Sequence, residues 1–219
     1  MPKRPDPWKA YLARFPGPRF DHYARGALPL ELADRLRAAV LASPVRPISN
    51  EDAAEGASWN RITDGIIARL NVDHAYREPI AEPLLEEMLA HLKAPVAEAM
   101  GTPWRLLNLR AWTTKPGAEI GPCKMHLDGD LLKIAKIMVY LTECGGGHGG
   151  LEMDIDKRMH VVTGPPGQWC VFRNSVVHHR GIPPESGERV AIEITIAPAD
   201  EFDLRPRFLG HIARYPLEP

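Results

Sequence analysis

A histidine and an aspartate stand two positions apart near the middle of the chain, at His126 and Asp128. Side chains at positions i and i+2 of a β-strand point to the same face, so this pair can approach one centre from the end of a strand. Two adjacent histidines, His178 and His179, follow a later strand-like run, and only one of them can face that centre. Two imidazoles and one carboxylate form the set that binds Fe(II) on one face and leaves positions open for oxygen chemistry.

A glycine-rich stretch and an arginine accompany these residues. Residues 145–150 are mostly glycine, which predicts a hairpin turn with close backbone approach. Arg189 precedes a run of alternating apolar residues, which indicates a strand inside the fold. Its planar fork suits the carboxylate of a small acid. Taken alone, the same arginine also fits a strand-end ion pair with Glu185 or Glu188.

The elements that must position these residues divide into a helical half and a strand-rich half. Apolar residues recur at helical spacing over residues 29–42. They recur again over residues 78–100, as one long helix bent at Pro95 or as two abutting helices. After residue 103, short apolar runs between Gly, Pro and Asn turns predict about eight strands. These runs include residues 106–111, 134–141, 151–155, 160–162, 169–172, 176–178 and 190–196.

This order of elements predicts an α+β fold, namely a double-stranded β-helix (jelly roll) with N-terminal helices packed on one sheet. We expect residues 1–100 to form an arm and a helical support within the same domain, and residues 101–219 to form the catalytic core. Residues 1–28 are rich in aromatic residues and proline and indicate an irregular arm. Polar residues 48–76 indicate a loop long enough to be a lid.

Composition restricts the partners and the compartment. The chain has 219 residues, of which 44% are hydrophobic and 25% charged, with a net charge of -1. Neither nucleic acid nor an anionic membrane surface is favoured, and no apolar run approaches the length of a membrane span. Three cysteines without CxxC spacing fit free thiols in a reducing compartment, so we expect a cytoplasmic protein. The oligomeric state is left open.

Residues 113–196 resemble the core of the Fe(II)/2-oxoglutarate-dependent dioxygenases, and most closely their prolyl-4-hydroxylase-like branch. Several motifs of that family occur here in the same order. They are the proline-glycine turn at 116–117, the His-x-Asp pair at 126–128, the tyrosine-leucine strand at 139–142, the glycine-glycine hairpin at 149–152, the approach to the second histidine at 162–172, and the closing segment at 179–189. Lys115 stands where the family often carries tyrosine.

The resemblance implies a role for each of these residues. His126, Asp128 and His179 would be the iron ligands, because the interval from His179 to Arg189 matches that between the family's second histidine and its co-substrate arginine. His178 stays the alternative. Arg189 and Tyr140 would bind the distal carboxylate of 2-oxoglutarate. The family's serine after the arginine is absent, so Tyr140 or a threonine (Thr114 or Thr142) would take its place.

The function that the resemblance implies is an Fe(II)- and 2-oxoglutarate-dependent oxygenase. It would use O2 to hydroxylate an unactivated C–H bond of a small molecule or a peptidyl side chain, with release of succinate and CO2. In the related halogenases a small residue replaces the carboxylate, so Asp128 favours hydroxylation. Two alternatives remain open. One is a cupin-type metalloenzyme that uses no 2-oxoglutarate, although cupins usually carry His-x-His. The other is a non-catalytic binding module on the same fold.

Overall fold

The computed structural model describes residues 23–45, 74–77, 80–119, 121–128 and 135–199. The predicted N-terminal arm lies outside the described residues up to position 22, and the predicted lid loop lies outside them over residues 48–73. Within the described ranges, no helix combines the length and the apolar character needed to cross a membrane.

Two helices of the described ranges precede most of the strands. They are α1 (Leu30–Ala42) and α2 (Glu82–Met100). Nine strands are β1 (Tyr23–Ala27), β2 (His74–Arg77), β3 (Trp104–Thr114), β4 (Ala135–Tyr140), β5 (Gly150–Ile155), β6 (Arg158–Val161), β7 (Gln168–Phe172), β8 (His178–Ile182) and β9 (Arg189–Pro198) within the described residues. A 3-10 helix at Gly121–Cys123 leads into the His-x-Asp pair.

Both helices form where the apolar spacing predicts them. Pro29 stands at the N-cap of α1, where its missing N–H is not needed. Helix α2 runs through Pro95 as a single element, which decides between the two predicted alternatives. It ends at Gly101, whose φ of 68° is a left-handed C-cap conformation that glycine adopts without strain.

The strands form two antiparallel sheets. The larger sheet has the order β1-β7-β4-β9-β3-β2, and the smaller has the order β6-β5-β8. In β9 the side chains alternate between two environments, as the period of a strand requires. Val190, Ile192 and Ile194 join a hydrophobic cluster that also contains buried residues of both helices. Ala191 belongs to a second cluster, which contains residues of both sheets.

The alternation places polar side chains of β9 inside the fold. Arg189 and Glu193 share the parity of Ala191 and are buried, with 2% and 4% of their surfaces exposed. The second cluster is built from Trp112, Met138, Tyr140, Cys144, Leu151, Met153, Val162, Cys170, Phe172, Val177 and Ala191. The larger sheet therefore presents one apolar face and one face that mixes apolar with charged residues.

Several segments differ from the sequence prediction. Residues 23–27 lie in the predicted irregular arm, yet they form β1, because they pair with β7 along its whole length. Strand β2 lies at the end of the predicted loop and pairs with β3. The predicted strand at 176–178 is mostly a turn, and β8 begins only at His178. The His-x-Asp pair is not at the end of a strand but meets β8 through an isolated bridge at His126.

Candidate metal centre

Backbone hydrogen bonds bring the two halves of the site together. The amides of His126 and His179 each donate to the other residue's carbonyl at 2.9 Å. The Asp128 amide donates to the Asn174 carbonyl, also at 2.9 Å. Asn174 lies in the turn that replaces the predicted strand at 176–178. That turn is therefore a structural part of the site, because it fixes Asp128 beside β8.

The side chains of His126, Asp128 and His179 converge on one point. One potential ligand atom from each of the three lies within 4.8 Å of the others. The Nε2 atom of His126 is 3.3 Å from Asp128 Oδ1, and that of His179 is 3.6 Å from Asp128 Oδ2. Phe172 packs edge-on against the His179 ring at a centroid distance of 4.8 Å. Two imidazoles and a carboxylate thus surround a space suited to one ion.

Backbone carbonyls set the tautomer of both histidines. His126 Nδ1 is 2.6 Å from the Lys124 carbonyl, and His179 Nδ1 is 2.9 Å from the Val177 carbonyl. A carbonyl oxygen only accepts, so each Nδ1–H donates and each neutral ring keeps its Nε2 lone pair toward Asp128. A hydrogen bond from the second ring nitrogen is a regular feature of metal-binding histidines. The donor set therefore fits a divalent transition metal.

The structure distinguishes the two adjacent histidines. His179 is buried, with 4% of its surface exposed, and it faces Asp128. His178 is exposed and lies opposite Asp154 in the pairing of β8 with β5. Adjacent strand residues point to opposite faces, so His178 is excluded from the point where the other three residues meet.

The charges around Asp128 keep its carboxylate ionised. Burial acts to raise the pKa of Asp128, but the charge of Lys136 and the nearby imidazoles of His126 and His179 outweigh it and hold the pKa well below its usual value. Burial likewise acts to lower the pKa of His126, and contact with Asp128 raises it above its usual value. An ionised carboxylate is the form that a metal requires.

A network of charged side chains around buried Glu193 borders the site. Lys136 Nζ lies 2.5 Å from Asp128 Oδ2 and 3.2 Å from Glu193 Oε2. Arg110 Nη2 lies 2.6 Å from Glu193 Oε1. Sequence reasoning did not single out any of these three residues. A signal was present, since Lys136 and Glu193 each interrupt an apolar strand at a position that faces the inside.

A cavity connects the histidine site with Arg189. Its lining comes from both sheets and consists of Trp112, Lys136, Met138, Tyr140, Leu151, Phe172, His179, Gly181, Arg189 and Glu193. His179 and Arg189 thus open onto one space. One candidate metal ligand and the guanidinium therefore border the same cavity.

Arg189 is buried among neutral partners. Its Nη1 donates to the carbonyls of Gly150 and Ile182 at 2.9 and 2.5 Å, and its Nη2 donates to Thr114 Oγ1 at 3.0 Å. Its Nε has no hydrogen-bond partner, and within the described ranges no carboxylate pairs with the guanidinium. Glu185 and Glu188, which the sequence offered as ion-pair partners of Arg189, are exposed. Burying a cation without an opposite charge is costly, so this position is a candidate anion site.

Two neighbours complete the arginine end of the cavity. Tyr140 is 1% exposed, and burial raises the pKa of its phenol well above the usual value, so it stays a neutral donor. Of the two threonines considered from the sequence, Thr114 contacts Arg189, whereas Thr142 Oγ1 accepts from the Val190 amide at 3.2 Å. Lys115 is exposed.

Two residues that sequence reasoning missed support this end. His74 on β2 lies behind Thr114, with Nδ1 3.1 Å from the threonine hydroxyl. Gly181 leaves room for the guanidinium, because a Cβ there would lie 3.2 Å from Arg189 Nη2. His74 belongs to none of the motifs, and Gly181 lies in the closing segment at 179–189 without a role assigned from the sequence. Each becomes significant through a contact made by the folded chain.

Solved structures of Fe(II)/2-oxoglutarate oxygenases share this fold. The epimerase SnoN from nogalamycin biosynthesis, described as non-heme and alpha-ketoglutarate-dependent, has a TM-score of 0.57 and 14% identity over 89% of this chain and 84% of its own. A Pseudomonas putida prolyl-4-hydroxylase has a TM-score of 0.52 and 19% identity over 81% of this chain and 92% of its own. HygX from Streptomyces hygroscopicus, with nickel, 2-oxoglutarate and hygromycin B bound, has a TM-score of 0.56 and 12% identity over 82% of this chain and 84% of its own.

The comparisons confirm the resemblance inferred from the sequence, at the level of the fold. Oxygenases of this class, prolyl-4-hydroxylases among them, are the structural neighbours of the chain. No protein-family model matches the sequence, and no curated protein does. Below 25% identity a common fold does not fix a common reaction, so the reaction must be argued from the site.

Proposed function

We propose that this protein is an Fe(II)- and 2-oxoglutarate-dependent oxygenase. In this proposal His126, Asp128 and His179 bind the iron, while Arg189 and Tyr140 bind the distal carboxylate of 2-oxoglutarate. One observation carries the proposal. His179, one member of a cluster of two imidazoles and a carboxylate, lines the same cavity as a buried arginine that has no carboxylate partner among the described residues.

Each residue has a task that follows from its surroundings. The Lys124 and Val177 carbonyls hold both Nε2 atoms ready as donors. The guanidinium of Arg189 and the hydroxyl of Tyr140 orient the co-substrate from the far end of the cavity. Burial of this end excludes water, which strengthens the interaction between opposite charges. When bound, iron and 2-oxoglutarate supply the O2-dependent oxidation of a substrate, with release of succinate and CO2.

The expected reaction is hydroxylation of a C–H bond in a small molecule or a peptidyl side chain. Asp128 supports this choice, because an intact carboxylate occupies the position that a halide needs in the related halogenases. Both substrate classes occur among proteins of this fold, since HygX holds hygromycin B and other neighbours are prolyl hydroxylases. The substrate class is therefore the first property to test after turnover of the co-substrate.

The proposal predicts O2-dependent formation of succinate from 2-oxoglutarate by the iron-loaded protein. Asp128→Ala should abolish it, because the variant loses the anionic ligand. His178→Ala is the matched control and should retain activity, since His178 is exposed beside the buried ligand. The measurement is succinate release with and without O2, followed by a search for products that have gained one oxygen atom.

Two results would contradict the proposal. If the wild-type protein binds iron but a titration detects no 2-oxoglutarate binding, a cupin-type metalloenzyme becomes the better interpretation. If protein purified without oxygen takes up no iron, the chain is a binding module on this fold. Equal succinate formation by the wild type and Asp128→Ala would remove Asp128 from the site.

A further inference from the structure

We propose that Lys136 and Asn174 are positioning residues that commit Asp128 to binding the metal through one oxygen, Oδ1. This inference rests on the proposed function, because it concerns the same carboxylate. It adds residues that no sequence motif of the chain identifies. The two donors come from separate elements, Lys136 from β4 and Asn174 from the turn before β8.

The two oxygens of Asp128 have different surroundings. Oδ2 lies 2.5 Å from Lys136 Nζ and accepts a hydrogen bond from Asn174 Nδ2 at 3.1 Å. His179 Nε2 lies 3.6 Å from Oδ2, which is beyond hydrogen-bond distance, so among the described residues the lysine and the asparagine are the donors to this oxygen. Oδ1 lies 3.3 Å from His126 Nε2 and is the oxygen that remains for an ion.

Each donor is itself held in place. The Asn174 carbonyl accepts a hydrogen bond from the Asp128 amide, and its side-chain amide donates to the Asp128 carboxylate. Asn174 therefore binds both the backbone and the side chain of the aspartate. Asn174 is fully buried. Lys136 is fixed from behind by Glu193, which Arg110 binds in turn. The carboxylate therefore has little freedom to rotate.

The consequence concerns the open face of the metal. A carboxylate that binds through both oxygens takes an additional coordination position. The proposed co-substrate and O2 need three open positions, which a facial set of three single donors provides. By occupying Oδ2, the ammonium and the amide prevent the second bond. If Lys136 served only to stabilise the fold, its ion pair with Glu193 would be sufficient. Lys136 also contacts Asp128, the proposed metal ligand.

The test uses the full-length protein loaded with Co(II) in place of iron. The visible absorption spectrum of Co(II) changes with coordination number, and titration with 2-oxoglutarate reports whether positions remain open. Lys136→Met should alter the spectrum and weaken 2-oxoglutarate binding to the Co(II) protein by about 10-fold or more, within the range known for residues that orient metal ligands. Lys136→Arg should preserve both properties, because it restores a cationic donor.

Two further variants separate positioning from folding. Lys136→Met leaves Glu193 with one cation fewer, so the double variant with Glu193→Gln removes the buried charge as well. It should fold, as judged by circular dichroism, and still show the altered spectrum. Lys93→Met makes the same chemical change on the exposed side of α2 and should change nothing.

The outcomes also separate this inference from the proposed function. An unchanged Co(II) spectrum and unchanged 2-oxoglutarate affinity in the double variant would overturn the role of Lys136, even if stability falls. If the wild-type protein binds no Co(II), the proposed function itself fails. If it binds Co(II) but no 2-oxoglutarate, the metal site stands and the assignment of the co-substrate fails.

Discussion

Arg189 is a cation that the fold keeps in its interior with neutral partners. Two carbonyls and a threonine hydroxyl satisfy part of the guanidinium, and its Nε has no partner. Burial of a charge without an opposite charge costs stability. In the proposed function the co-substrate supplies the missing charge, and the fork geometry of arginine suits a carboxylate.

Replacement of Arg189 should separate co-substrate binding from metal binding. We expect Arg189→Met to weaken 2-oxoglutarate binding by about 10- to 100-fold, since hydrogen bonds to charged groups contribute about 1.5–3 kcal/mol. The affinity for the metal should change little, because Arg189 donates no atom to it. Calorimetric titration of the metal-loaded protein with 2-oxoglutarate measures the first effect, and titration with metal alone measures the second.

Arg180→Met is the control for this prediction. Arg180 lies on β8 and forms an ion pair with Glu152, with Nε 2.6 Å from the carboxylate. It is more exposed than Arg189, and loss of an exposed pair has a small effect. Equal loss of 2-oxoglutarate binding in both variants would point to a non-specific charge effect and contradict the assignment.

At this scale the sequence identified residues that belong to motifs and missed those that act through contacts. His126 and Asp128 were named from their i, i+2 spacing, and the resemblance, through the interval to Arg189, favoured His179 over His178. Lys136, Asn174 and His74 were missed. They matter through neighbours that are remote in the chain, and no short pattern records those contacts.

Three neighbouring strands of the larger sheet build the charged network. Arg110 lies opposite Glu193 in the pairing of β3 with β9, and Lys136 extends from β4 on the other side of β9. The network therefore exists only when the order β4-β9-β3 has formed. Burial acts to raise the pKa of Glu193, but Arg110 and Lys136 outweigh it and lower the pKa below its usual value.

The network predicts a loss of stability in acid. Because the pKa of Glu193 is lower in the folded state, the unfolded state binds protons more readily as the pH falls. The stabilisation is present above the unfolded pKa of about 4.3 and is lost as the pH decreases through the folded value. We expect the free energy of unfolding of metal-free Glu193→Gln to fall less steeply with pH below about pH 5 than that of the wild type. Urea unfolding of both proteins at a series of pH values measures this.

Two results bear on this pH prediction. Exposed Glu143 gives the control, since Glu143→Gln should leave the pH dependence as in the wild type. If Glu193→Gln loses stability with acid as steeply as the wild type, other carboxylates carry the effect and the network contributes little.

The sequence predicted elements well where burial follows a regular period. Apolar residues at helical spacing predicted α1 and α2, and alternating apolar residues predicted β9. Strands β1 and β2 were missed because their sequences have no such pattern. They are stabilised by pairing with β7 and β3, which only the tertiary structure provides. The run at 176–178 has apolar residues but folds as a turn, which holds Asn174 and the Val177 carbonyl at the site.

For the molecule as a whole, the candidate site depends on folding of the entire core. One histidine and the aspartate come from the segment before β4, the second histidine from β8, and the arginine from β9. The cavity is lined by both sheets. The His126–Asp128 segment, His179 and Arg189 would not meet in an unfolded chain, so metal binding and folding should support each other.

The shared fold does not determine which reaction this protein catalyses. Its neighbours include an epimerase and a prolyl-4-hydroxylase, each at less than 20% identity. Proteins of this fold catalyse several reactions, so the reaction must be inferred from the residues of the site. In the proposed function this site binds a metal through His126, Asp128 and His179 and a small dicarboxylic acid through Arg189 and Tyr140.

The location of a bound metal tests the central claim most directly. Crystals grown with Mn(II) in place of Fe(II), measured for anomalous scattering, should show one strong peak at bonding distance from the Nε2 atoms of His126 and His179 and from one oxygen of Asp128. A peak elsewhere, or a site that includes His178 in place of His179, would contradict the account.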